Sequence, residues 1–345
     1  MARLSTAELL REDFDALRDR RGRAREATPL RAFRAERFSD HAVTDEILAH
    51  AEDPETAASA FNPTFQSSRY ERVWILNYLG SFYEKQLISD VLRKVKGGKE
   101  ATVYCCQAGA NAPVGGLIAA KVYRPRQFRN LRNDALYRQG REMLGSRGQP
   151  IRDRRALLAI RMGTRKGKEM EHVSWLAHEY ATLQALERVG VRVPQPIAFA
   201  NNTILMEYAG TLRAAAPVLQ SVSLARDEAR ELFNALIADV ERMLAAGHVH
   251  ADLSAFNVLY LGDGDYRIID FPQAVDAAVH PSAPALFERD VTRLCQYFTR
   301  YGITADGPRL AAKIWDRVAP ERAPLETDEM AAVVAGAAVN EFGSE

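Results

Sequence analysis

His250-Ala251-Asp252-Leu253-Ser254-Ala255-Phe256-Asn257, followed by Ile268-Ile269-Asp270, is the stretch from which the rest of the chain is placed. Asp252 and Asn257 stand five residues apart, and Asp252 and Asp270 eighteen. On their own, Asp252 and Asn257 read first as turn residues, because short polar side chains favour loops. Asp270, between an apolar strand and a Pro-containing turn, changes that reading. An HxDxxxxN loop with a later strand-borne acid supplies what phosphoryl transfer needs. Asp252 can orient an attacking hydroxyl and take its proton. An amide oxygen such as that of Asn257 and a carboxylate such as that of Asp270 can hold magnesium against a triphosphate, hard oxygens on a hard cation. His250 reads as a packing or hydrogen-bonding member of the loop.

That chemistry requires a cation on the phosphates from elsewhere in the chain. Lys121, in Ile118-Ala119-Ala120-Lys121-Val122-Tyr123, lies inside an apolar strand. Its charge needs a partner there or a solvated strand face, and the strand alone does not choose between them. Glu179, in the middle of an apolar-periodic segment, is the natural partner. Ahead of Lys121, Val95-Lys96-Gly97-Gly98-Lys99-Glu100-Ala101 reads as a hairpin turn. Its position two strands before the lysine also lets Gly97, Gly98 and Lys99 face phosphates.

Working outward, the order of elements is strand-rich and then helix-rich. A weak helical pattern covers 6–20, and an amphipathic helix is expected from Ser68 to Lys85. Three strands follow (Asp90–Val95, Ala101–Ala108, Leu117–Tyr123), then an Arg-rich stretch to Lys168. A helix from His172 to Arg188 leads to two strands around Asn201-Asn202. Asp227–Ala246 and residues 284–301 read as amphipathic helices, a strand pair surrounds Gly262-Asp263-Gly264-Asp265, and the tail reads as Ala-rich helices. This is an α+β chain with a cleft where its two halves meet.

Composition sets the outer bounds. The 345 residues carry a net charge of +1, with 47% hydrophobic and 26% charged residues, as globular chains do. Residues 121–170 hold 15 basic residues against four acidic ones, leaving the rest of the chain at −10. A basic segment on an acidic body suits phosphates or nucleic acid, or is simply a solvated insertion. The N-terminus is too polar for a secretory signal, and no apolar run is long enough to span a bilayer. Three cysteines, Cys105, Cys106 and Cys295, form neither a disulfide framework nor a zinc site. The reading is a soluble, cytoplasmic protein with no membrane partner.

With these residues assembled, the sequence resembles the RIO family of atypical serine/threonine protein kinases. The resemblance runs through GGKEATVY, AAKVY, HADLSAFNVLY, IIDFPQAVDAAVHPSA and FERDVTRLCQYF, roughly residues 75–302. The IIDxxQxV run before His280-Pro281 is its most specific part. The resemblance implies a bilobal protein-kinase-like fold that uses ATP with Mg²⁺ or Mn²⁺. It implies Asp252 as catalytic base, with Lys121 on the phosphates and paired with Glu179. Asn257 and Asp270 would be the metal ligands. Gly97, Gly98, Lys99, Glu100 and Ser254 would contact the nucleotide, and Met206-Glu207-Tyr208 would meet the adenine.

The resemblance also divides the chain: an arm over 1–70, an N-lobe over 71–208 with a flexible basic insertion over 124–168, a C-lobe over 209–302 and a helical tail over 303–345. Autophosphorylation would fall on Ser146 or Thr164, with Tyr123 and Tyr137 as weaker acceptors, and Asp270, by likeness to some relatives, would be the acceptor in an ATPase-like cycle. Partners would be ATP, a protein substrate or the chain itself, and RNA or a ribosomal particle through 124–168. Two departures stand out. Lys96-Gly97 occupies the place of a Ser/Thr pair, and Pro272 after the metal Asp lacks an N–H. The competing readings are a small-molecule phosphotransferase of the aminoglycoside or choline kinase type, and a nucleotide-dependent RNA-binding switch.

Overall fold

The structure is a computed structural model, and it describes residues 61–98, 100–124, 142–145 and 148–320. The helix expected over 6–20, Lys99, Tyr137, Ser146 and the tail beyond 320 lie outside the described residues.

The first described helix, α1 (Arg69–Glu84), starts where Ser68 accepts the Glu71 N–H at 3.2 Å. Ile75, Leu79 and Phe82 recur at helical spacing and bury one face. That face covers an antiparallel sheet of β1 (Ile88–Gly97), β2 (Ala101–Ala108), β3 (Leu117–Tyr123), β4 (Pro196–Ala200) and β5 (Thr203–Glu207). Its spatial order is β1-β2-β3-β5-β4. Asn201 and Asn202 take φ of 46° and 59° between β4 and β5, the left-handed pair a tight hairpin requires.

The period of two along β3 decides where Lys121 points. Ile118, Ala120 and Val122 belong to the core under α1, whereas Ala119 and Tyr123 belong to the core on the opposite face. Lys121 shares that second face. The same alternation sends Cys105 and Cys106 into different cores, and all three cysteines are free.

The second face packs on a helix longer than the sequence reading gave. Helix α2 (Arg154–Arg161) and helix α3 (Arg165–Arg188) both begin inside the basic segment. Asp153 caps the first, and Thr164 caps the second by accepting the Gly167 N–H at 3.0 Å. Residues 154–161 and 165–168 are therefore helical, not irregular insertion. The reason is local. Arg165-Lys166-Gly167-Lys168 carries no apolar period to announce a helix. Gly167 is buried against the Ala159 carbonyl, where a Cβ would collide, so the two helices meet through a glycine.

The second half is helical around α4 (Arg226–Ala245), α5 (Ala283–Phe298) and α6 (Gly307–Val318). Leu232, Leu236, Val240 and Met243 of α4 face Phe287, Val291, Leu294 and Phe298 of α5 within one core. Short pairs β6 (His248–Val249) with β9 (Val275–Asp276), and β7 (Val258–Gly262) with β8 (Asp265–Ile268), bracket the 250–257 loop. The bilobal α+β expectation is met.

Candidate active site

A cavity of about 620 Å³ is lined on one side by β1–β3 and the end of β5, and on the other by the residues around Asp252 and Asp270. At its floor, Lys121 Nζ lies 2.9 Å from Glu179 Oε1 and 2.8 Å from Asp270 Oδ1. The open question about Lys121 is thereby answered, since it faces α3 and not solvent. Burial opposes its charge, but the carboxylates of Asp270 and Glu179 hold its pKa well above the usual lysine value. The Lys121 ammonium in turn holds the Asp270 carboxyl below the usual carboxylate range, and Lys96 adds to the effect. The other oxygen of Glu179 accepts from the buried Tyr123 hydroxyl.

Asp252 is held differently. The Asp252 side chain is 46% exposed, and its Oδ1 accepts from Arg293 of α5 at 3.0 Å. Its loop is tied from behind. Ala251 sits in the left-handed region at φ 63°, Arg289 donates to its carbonyl, and the Leu253 N–H reaches Asp290 Oδ1 at 3.1 Å. Asn257 Nδ2 donates to the Asp252 carbonyl at 2.9 Å, and the Asn257 carbonyl accepts the Ile269 N–H at 2.9 Å. His250 is buried and its pKa is lowered by that burial. As a neutral ring it accepts the Asp252 N–H on Nδ1 at 3.3 Å and donates from Nε2 to the Ile269 carbonyl at 3.1 Å. It is the packed loop histidine expected, and it sets the spacing between Asp252 and Asp270.

The nucleotide-side expectations divide. Met206, Glu207 and Tyr208 line the cavity, but the Glu207 N–H is taken up by the Gln195 carbonyl at 2.8 Å. Its carboxylate forks onto Arg267 at 3.0 and 3.1 Å. Tyr208 accepts from Arg93, which also donates to the Leu212 carbonyl at 3.0 Å and so straps β1 to the segment after β5. Gly98 and Glu100 line the cavity, yet the Gly98 N–H closes its own hairpin on the Ala101 carbonyl at 2.9 Å. Gly97, Ser254 and Asn257 are not among the lining residues, and the Ser254 backbone carbonyl accepts the Asn257 N–H at 2.9 Å. Lys96, read only as a departure, does line it.

Sequence reasoning took Tyr123 only as a weak phosphate acceptor, which its burial contradicts, and it missed Arg293, Asp290 and Arg267. Tyr123 could have been found from its period-two relation to Lys121. No spacing in the chain announces the other three.

No cluster of three or more His, Cys, Asp or Glu able to hold a metal occurs among the described residues. Magnesium bound mainly through a nucleotide's phosphates needs only one or two protein oxygens. Asp270 and the Asn257 amide oxygen, left as acceptor once Nδ2 is engaged, fit that requirement.

Comparison with known proteins identifies a family. A family model of the RIO domain matches residues 151–310, so β1–β3 and Lys121 lie ahead of the match. The RIO-type serine/threonine-protein kinase Rio1 of Haloferax volcanii is 32% identical over 216 residues, 63% of this chain and 66% of that protein. Rio1 of Thermoplasma acidophilum is 38% identical over 136 residues, 39% of this chain and 69% of that protein. The human serine/threonine-protein kinase RIO1 is 35% identical over 146 residues, 42% of this chain and 25% of that protein. The chain thus spans about two thirds of the two archaeal relatives and a quarter of the human one. On sequence, fold and cleft together, this chain belongs to the RIO family of serine/threonine-protein kinases.

Proposed function

We propose that the chain transfers the γ-phosphoryl group of ATP to a hydroxyl on a protein, itself included. The observation that carries this is Lys121 shared between Glu179 and Asp270 at the floor of the cavity, with Asp252 on its wall. Lys121 would neutralise phosphate oxygens, and Lys96 stands where a second cation is useful. Asp252, with one oxygen on Arg293 and the other open, would orient the acceptor hydroxyl and take its proton. Asp270 and Asn257 would hold Mg²⁺ or Mn²⁺, whose part is to neutralise charge on the phosphates. The segment 206–208 would seat the adenine, and Lys96, Gly98 and Glu100 would stand around the phosphates.

Labelled γ-phosphate transfer compares wild type with Asp252→Ala, offered alone, with a basic protein and with an aminoglycoside panel. Label on protein that drops about 10³-fold in the variant, with ATP binding retained, is the expected result. Equal labelling by the two proteins sinks the role of Asp252. Label on the aminoglycosides alone replaces the protein substrate with a small one.

RNA or a ribosomal particle is proposed as a further partner. Arg152, Arg154, Arg155, Arg161, Arg165, Lys166 and Lys168 are all exposed along α2 and the start of α3. Phosphate contact through them predicts an RNA affinity that falls steeply as salt rises. Affinity indifferent to salt removes that partner. No helix among the described residues is long and apolar enough to cross a membrane.

A further inference from the structure

Glu179 is 2% exposed and both of its oxygens are engaged, Oε1 by Lys121 at 2.9 Å and Oε2 by the Tyr123 hydroxyl. The proposed reaction uses the first contact and has no need of the second. Tyr123 is itself buried, two residues along β3 from Lys121 and on the same face. Its ring stands edge-on to Trp175 of α3 with centroids 5.0 Å apart, and Lys121 Nζ lies 5.0 Å from its centroid. Burial, with Glu179 adding, keeps the phenol far above its ordinary pKa, so it remains a donor. The hydroxyl therefore ties the lysine strand to the helix that carries the lysine's partner.

The consequence lies in how Lys121 is shared. It is as close to Asp270, at 2.8 Å, as to Glu179. A cation brought to Asp270 would draw on the same carboxylate and repel the ammonium on Oδ1, so it would loosen the hold of Asp270 on the lysine. A largely buried ammonium cannot be left without a carboxylate, because desolvation alone would be prohibitive. Glu179 must then hold Lys121 unaided, with its own second oxygen satisfied. Resting on the ATP-dependent reading above, we propose that Tyr123 is a positioning residue: its hydroxyl keeps Glu179 on Lys121 so that Asp270 can let the lysine go. Without it, Oε2 is a buried orphan and Glu179 competes poorly with Asp270 for the lysine.

The test is ATP binding by the full chain, titrated once in EDTA and once with Mg²⁺. The proteins are wild type, Tyr123→Phe, Glu179→Gln and the double variant. Phenylalanine keeps the ring and its contact with Trp175, so the fold is retained. Tyr123→Phe should weaken binding about tenfold with Mg²⁺ and less than about threefold in EDTA. In the Glu179→Gln background the same change should add less than about twofold, because the hydroxyl acts through the glutamate. Equal losses in the two titrations, or losses that add in the double variant, assign Tyr123 to stability alone and overturn the proposal. Unaltered binding by Tyr123→Phe overturns it too, with the ATP-dependent reading intact. Failure of wild type to bind ATP in either titration overturns both.

Discussion

Two acidic residues on opposite sides of the cleft are held in opposite ways. Glu179 is buried, and the strand–helix packing that seats it is the core itself. Asp252 has a side chain 46% exposed, and its position comes from hydrogen bonds behind the loop, not from burial. A buried carboxylate is costly to orphan and costly to remove, whereas a half-exposed one costs little to lose. Under the proposed function, the N-lobe residue would couple nucleotide binding to stability, and the C-lobe residue would leave the two separable.

Truncating each acid tests that contrast most severely. Glu179→Ala leaves the Tyr123 hydroxyl without its acceptor and Lys121 with Asp270 alone. We expect a loss of roughly 2–3 kcal/mol in unfolding free energy together with a loss of ATP affinity of about a hundredfold. Asp252→Ala should change unfolding free energy by less than about 0.5 kcal/mol and leave ATP affinity within about twofold. Urea midpoints and ATP titrations on both variants decide it. If Asp252→Ala is the less stable of the two, the loop is held by its aspartate and the contrast fails.

How far each half was legible follows from the same difference. The strands, the Asn201-Asn202 turn and the amphipathic helices express patterns that one segment carries in itself, whereas the Lys121–Glu179 pair was reached only through the chemistry it would serve. The helical start of α3 at Arg165 was hidden because Gly167 reports a close helix–helix approach, not an apolar stripe. Asp252, Asn257 and Asp270 were readable from spacing. What fixes them was not, because Arg289, Asp290 and Arg293 reach the loop from α5, 37 or more residues further on. Fixed spacing inside one loop leaves a pattern in a single sequence, and a contact between distant helices does not. The Gly97-Gly98 pair was read first as a hairpin turn, and the Gly98 N–H does close its own hairpin.

Asp290 offers a finer test, since it is the buried element on which the exposed loop rests. Its carboxyl is 2% exposed, Oδ1 accepts the Leu253 N–H, and Oδ2 has no hydrogen-bond partner among the described residues. Burial pushes its pKa up to about 7, although Arg289 and Arg293 pull the other way. The native state therefore binds this proton more tightly than the unfolded chain does. The resulting stability is full below the ordinary aspartate value and is lost as pH rises towards 7. Asp290→Asn keeps an oxygen for Leu253 and has no proton to lose. The two proteins should match in stability near pH 4, and the variant should be the more stable by on the order of 4 kcal/mol at pH 8. Urea unfolding at the two pH values measures the difference directly, and buried His250 titrates alike in both proteins. If wild type instead gains on the variant as pH rises, Asp290 is an anion paired with Arg289, 3.8 Å away, and the loop rests on a buried charge much as Lys121 does.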